Sequence, residues 1–157
     1  LLSRFPKLHI TLDISHWFVV AERLLTPKAY PALFKLVLPR VRHIHARMGT
    51  SQHAQITFVA EADGVFSATA LSEEEQQAQQ TFEQIWEAWW AARWSLETNF
   101  NRSVITMTPE YGPFPYQISC GDVKSDQKNL LAMTNWQAKR LQTLYTKWID
   151  RKSNSLL

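Results

Sequence analysis

Three stretches of the chain alternate apolar and polar residues with period two, and each ends on a side chain suited to metal or proton chemistry. In LHITLDISHW (8–17), Leu8, Ile10, Leu12 and Ile14 take one face, while His9, Thr11 and Asp13 take the other. In VRHIHARM (41–48), Val41, His43, His45 and Arg47 share a face, and in VITMTPEYGP (104–113) Val104, Thr106, Thr108 and Glu110 do. Side chains alternate along a strand, so each segment can aim its last polar residue at a common point. The pattern predicts strands over 8–14, 41–48 and 104–109.

Between these segments the period changes to that of a helix. Trp17, Val20, Ala21 and Leu24 predict a helix from about His16 to Leu25, ended by Pro27 and Pro31, with a helical turn over 33–38 before Pro39. Ser72 followed by Glu75 has the form of a capping box and opens a long helix to about Glu97. Its expected buried stripe is Phe82, Ile85, Trp86, Trp89 and Trp90. A last helix is expected from about Lys128 to Asp150, with Leu131, Ala138, Leu141, Tyr145 and Trp148 on one face. The stretch from Thr50 to Leu71 is less legible. QITFVAEA reads as a short strand or hairpin arm, Asp63-Gly64 as a turn, and so long a connection as a lid or binding loop. The order β-α-β-loop-α-β-α predicts an α/β fold with a parallel sheet and right-handed crossovers.

Composition narrows this picture without redirecting it. A chain of 157 residues, 45% hydrophobic and 20% charged, suits one ordinary domain with a buried core. The formal charge of +3 comes from scattered Lys and Arg, so nucleic acid is not an expected partner. One cysteine, Cys120, excludes an internal disulfide and fits a reducing compartment, the cytoplasm. No run approaches the ~18 apolar residues of a membrane span, and no signal-peptide layout appears. The chain opens almost directly into a strand without an initiator Met, which reads as the interior of a longer protein.

Functional residues of parallel α/β proteins gather at the carboxyl ends of the strands, where Asp13, His45 and Glu110 all lie. Two hard carboxylates and one imidazole suit Mn, Mg, Co or Zn. Each is ordinary when taken singly, because a strand-end Asp commonly caps a helix and a lone His commonly satisfies a local bond. Their coincidence makes a candidate metal site. His16, three residues after Asp13, can reach the metal or a substrate oxygen beside it. His43 sits one step deeper than His45 and reads as a supporting or core histidine. Arg47 lies beyond His45, where a guanidinium could clamp an anionic or polyhydroxy substrate or else stand solvated in a loop. His53 reads as a loop histidine.

The motifs D-I-S-H-W, H-I-H-A-R and T-P-E-Y-G-P, in this order and at these intervals, resemble the sugar phosphate isomerase/epimerase superfamily. These are the xylose isomerase-like TIM barrels, a group that also includes endonuclease IV-type enzymes. The resemblance implies a (β/α)8 barrel. Residues 1–157 would be the carboxyl-terminal part of one barrel domain, with about the last three β/α units present. It implies Asp13, His45 and Glu110 as ligands of a divalent ion, with His16 and Arg47 as substrate-binding residues. Glu110 would also be catalytic, one of a pair of glutamates that move a proton through a metal-stabilised cis-enediolate of a sugar or sugar phosphate.

The second glutamate of that pair is expected before Leu1. A full barrel takes ~250 residues, so the resemblance implies an absent amino-terminal half, or a homo-oligomer in its place. The chain alone would then be inactive. Two alternatives stand beside this reading. One is an endonuclease IV-like enzyme acting at abasic sites, which would want more His and Asp ligands than follow His45. The other is a non-catalytic truncated barrel domain. The absent glutamate supports it, as does a loop after Arg47 without the Gly-Pro-Gln and Asp-Pro-Arg-like segments usual in this subgroup.

Overall fold

The period-two segments become three parallel strands in the computed structural model, which describes residues 1–56, 71–96, 104–113, 116 and 123–154 (of 123–128, the backbone only). Strand β1 spans Ile10–Leu12, β2 Val41–His45 and β3 Thr106–Thr108, in the order β1-β2-β3. Each is shorter than its alternating segment. The register sets Thr11 beside His43 and Leu12 beside Ile44, then His43 beside Thr106 and His45 beside Thr108. The polar ends of adjacent strands are therefore brought level. The segment beyond Ile56, the Asp63-Gly64 turn and Cys120 lie outside the described residues.

The expected (β/α)8 barrel is overturned. The described residues form one three-stranded parallel sheet with four helices. Closing a barrel requires tilted, staggered strands all the way round, eight in a (β/α)8 fold, and three leave the sheet open. The motifs that suggested a barrel report only strand–helix alternation and polar strand ends, which any parallel α/β sheet shares. The chain divides into two compact units, Leu1–Ile56 with Ser72–Thr108 and Thr57–Leu71 with Pro109–Leu157.

In the first unit, helix α1 (Ile14–Ala21) follows β1 at once, because the Asp13 side chain caps it by accepting from the Ser15 backbone N–H. It ends where Glu22 takes a left-handed conformation with φ 51°. This early start shifts the buried face. Ile14, Ser15 and Phe18 are buried, whereas Val20, expected on the apolar stripe, is 86% exposed. Pro31 opens a helix instead of ending one. It occupies the first turn of α2 (Pro31–Val37), and a 3-10 turn over Leu38–Arg40 leads directly into β2.

Helix α3 (Glu73–Leu96) starts at the capping box. The Ser72 N–H and hydroxyl donate to Glu75 Oε2 at 2.8 and 2.9 Å, and Ser72 Oγ accepts from the Glu75 N–H. Phe82, Ile85, Trp86, Trp89 and Trp90 are all at most 1% exposed, as their spacing predicts. Phe82 meets Phe18 of α1 edge to face, with ring centroids 5.1 Å apart. The Trp89 indole N–H donates to the Val41 carbonyl at 3.1 Å, tying α3 to the start of β2.

In the second unit, helix α4 spans Val123–Asn154. Its buried residues include Leu130, Met133, Gln137, Leu141 and Trp148, while Leu131 is 63% exposed. The apolar face thus begins one residue earlier than the expected stripe. Arg140 lies over the Trp136 ring at 5.6 Å, and burial lowers its guanidinium pKa to about 10. Among the described residues, no helix is long and apolar enough to cross a membrane.

Candidate metal centre

Asp13 reaches the sheet's carboxyl end because β1 stops at Leu12 and α1 starts at Ile14. One residue has to turn the chain, and an Asp does so by bonding its own backbone two residues on. Its Oδ1 accepts both the backbone N–H of Ser15, at 3.1 Å, and the Ser15 hydroxyl, at 2.5 Å. Its Oδ2 accepts from Arg47 Nη2 at 2.8 Å. A carboxylate offers about two lone pairs on each oxygen. Oδ1 is thereby filled, and the remaining acceptor capacity of Asp13 is on Oδ2.

His43 and His45 point from the same face of β2, yet their surroundings differ. His43 is held by β3 on both ring nitrogens: Nδ1 is 2.7 Å from Thr106 Oγ1 and Nε2 is 3.1 Å from Thr108 Oγ1. A ring with both nitrogens engaged is a brace between strands and not a ligand. It stands edge to face against His45, centroid to centroid 5.4 Å, and so restricts how that imidazole can turn.

Glu110 follows β3 by two residues. The ladder continues one step past β2, since the Ala46 N–H donates to the Thr108 carbonyl at 2.7 Å. With Thr108 fixed in that way, covalent geometry keeps the Glu110 backbone within about 7 Å of the strand end. One ligand atom each from Asp13, His45 and Glu110 then lies within 4.8 Å of the others. Ligand bonds of about 2.0–2.2 Å put three donors around one ion about 3.0–3.6 Å apart. The trio would therefore have to draw in to enclose an ion. Two carboxylates and an imidazole are a suitable donor set for Mn, Mg, Co or Zn.

Arg47 and His16 complete the surroundings. Arg47 is 2% exposed, its side chain turned onto the first turn of α1. Nη2 bonds Asp13 Oδ2 and also lies 2.8 Å from His16 Nε2, while Ser15 Oγ accepts weakly from Nε and Nη2 at 3.4 Å. Arginine has no acceptor and Nη2 carries two hydrogens, so His16 Nε2 is the acceptor and its proton resides on Nδ1. The 3.5 Å separation of His16 Nε2 from Asp13 Oδ2 then reflects a shared donor and not an ion pair. The His16 side chain is 49% exposed, standing at the rim of the group.

Past Arg47 the backbone folds tightly on itself. Ile56 N–H donates to the Met48 carbonyl and Thr50 N–H to the His53 carbonyl, both at 2.7 Å, while Thr50 Oγ1 accepts from Gln52 and His53. Gly49 is required there, because a Cβ would sit 2.5 Å from the His53 oxygen and 2.6 Å from that of Ala54. His53 itself is exposed, in keeping with a loop histidine.

Sequence reasoning missed Ser15, Thr106 and Thr108 as site residues. The signals were present: Asp-x-Ser at a helix start is a capping pattern, and Thr106 and Thr108 share the polar face of their strand. No protein-family model, curated protein or solved structure matches the chain.

Proposed function

We propose that the chain holds one divalent cation between Asp13, His45 and Glu110 and serves proton transfer on a sugar or sugar phosphate, as an isomerase or epimerase. The observation that carries this reading is the approach of three donor groups, one from each of three parallel strand ends, to within 4.8 Å. When bound, the cation supplies Lewis-acid polarisation of a carbonyl oxygen. Such polarisation acidifies the neighbouring C–H, and a carboxylate can then remove that proton to give an enediolate.

Among the described carboxylates of the cluster, Glu110 suits the role of base. It is exposed to solvent, whereas Asp13 is half-buried. Return of the proton to the same carbon from the opposite side epimerises it, and return to the adjacent carbon isomerises the sugar. The motif resemblance supports the substrate class, and a single cysteine accords with the cytoplasm as the setting.

The test has two stages. Metal analysis after saturation with Mn, Co or Zn is expected to return about one ion per chain on the site, reduced sharply in His45→Ala. With ion bound, a hydroxy-aldehyde or hydroxy-ketone sugar in deuterated water is expected to take up deuterium next to its carbonyl. Uptake of no ion under saturating conditions, by wild type and by a variant made neutral at Arg47 alike, ends the metal reading. Bound ion without deuterium uptake across a sugar panel ends the isomerase reading and leaves the metal site.

A further inference from the structure

The reading of a divalent-cation site leaves one charged group unexplained: Arg47, buried directly behind Asp13. Ser15 fills Asp13 Oδ1, so a cation approaching Asp13 must use Oδ2, the same oxygen that Arg47 Nη2 already holds at 2.8 Å. We propose that Arg47 is a positioning residue that competes with the cation for Asp13 Oδ2, holding the empty site together and keeping its metal affinity low. The inference rests on the proposed metal site, and it departs from the expected use of Arg47 as a substrate anchor.

Geometry and electrostatics support it together. A guanidinium 2% exposed cannot turn to solvent, so its charge stays where it is. An ion about 2.1 Å from Oδ2 would lie only about 4 Å from Nη2. Two cations at that range repel strongly wherever water is largely excluded. The planar group meanwhile orients its neighbours. One Nη2 hydrogen fixes Asp13 and the other fixes His16, so the empty site stays assembled without an ion. Loading then requires the Arg47–Asp13 bond to lengthen or Oδ2 to be shared, which favours a readily exchanged ion over a permanent one.

The test is a Co²⁺ titration of the full chain, followed by visible d–d absorption, with thermal melts confirming the fold of every variant. Arg47→Met removes both charge and donor, and Arg47→Gln keeps a donor without the charge. Arg47→Lys keeps the charge. Tighter binding by about tenfold or more is expected for the two neutral variants. Arg47→Lys is expected to stay within about threefold of wild type. Arg47→Gln decides the matter if Arg47→Met does not fold.

A neutral variant that folds and binds Co²⁺ as weakly as wild type, or more weakly, overturns the competition while leaving the metal site standing. If wild type shows no Co²⁺ bands but Arg47→Gln does, and His45→Ala in that background removes them, competition is upheld in its strongest form. Silence in wild type and in both neutral variants overturns competition and metal site together.

Discussion

At its amino end β2 is enclosed by apolar packing: Val41 is fully buried and its carbonyl takes the Trp89 indole N–H from α3. Four residues later the same strand delivers His45, followed by buried Arg47, into a group of charges and hydroxyls on α1 and β3. The first region is held by area removed from water, which is non-directional and tolerant of small changes in shape. The second is held by directed bonds, each with a definite partner, and the loss of one partner strands the other. The contrast explains how a three-stranded sheet can present a polar cluster at one end. The packed end fixes the strand, and the polar end is then set by a few named hydrogen bonds.

The largest effect is expected from breaking the packed end. Trp89→Ala empties a fully buried site and releases the Val41 carbonyl, at a cost of about 3–5 kcal/mol, read by chemical denaturation. Asp13→Ala at the polar end comes next. It leaves the buried Arg47 guanidinium without its carboxylate and should cost about 3 kcal/mol. A test of metal binding through Asp13 alone would therefore confuse ligand loss with unfolding. His43→Ala removes the brace to Thr106 and Thr108 and is expected to cost about 1–2 kcal/mol. It should also weaken metal binding by about tenfold through the loosened His45 ring. The smallest effect is expected far from both ends, where Ser72→Ala removes the α3 capping box for about 1 kcal/mol. If Asp13→Ala left stability unchanged, the polar end would not be held by directed bonds and the contrast would fail.

The parts of this molecule that were legible in its sequence are those governed by short-range period. Alternation located all three strands, and the i, i+3, i+4 spacing of Phe82, Ile85, Trp86, Trp89 and Trp90 located the buried face of α3. Strand-end position alone singled out Asp13, His45 and Glu110. Helix phase was less secure. Val20 and Leu131 were placed on apolar faces, but α1 starts two residues before His16 and the buried side of α4 runs through Leu130. Each helical residue advances by about 100°, so a phase error of one or two positions puts a residue on another face.

Sheet closure and the destination of Arg47 were not legible, because both depend on distant segments. Three polar strand ends look alike in an open sheet and in a barrel. The partners of Arg47 lie 31–34 residues earlier in the chain, and nothing in the local pattern of H-A-R announces them.

The central claim is that the polar end of the sheet is a cation site built from His45 and Glu110 with Asp13, and titration of Co²⁺ or Zn²⁺ by calorimetry tests it most directly. His45→Ala and Glu110→Gln are the informative variants, since both leave the Asp13 and Arg47 side chains themselves in place. The account predicts about one site per chain in wild type, a loss of at least about 100-fold in affinity in each variant, and melting temperatures of the ion-free proteins within a few degrees of wild type. Equal binding by wild type and both variants would contradict it.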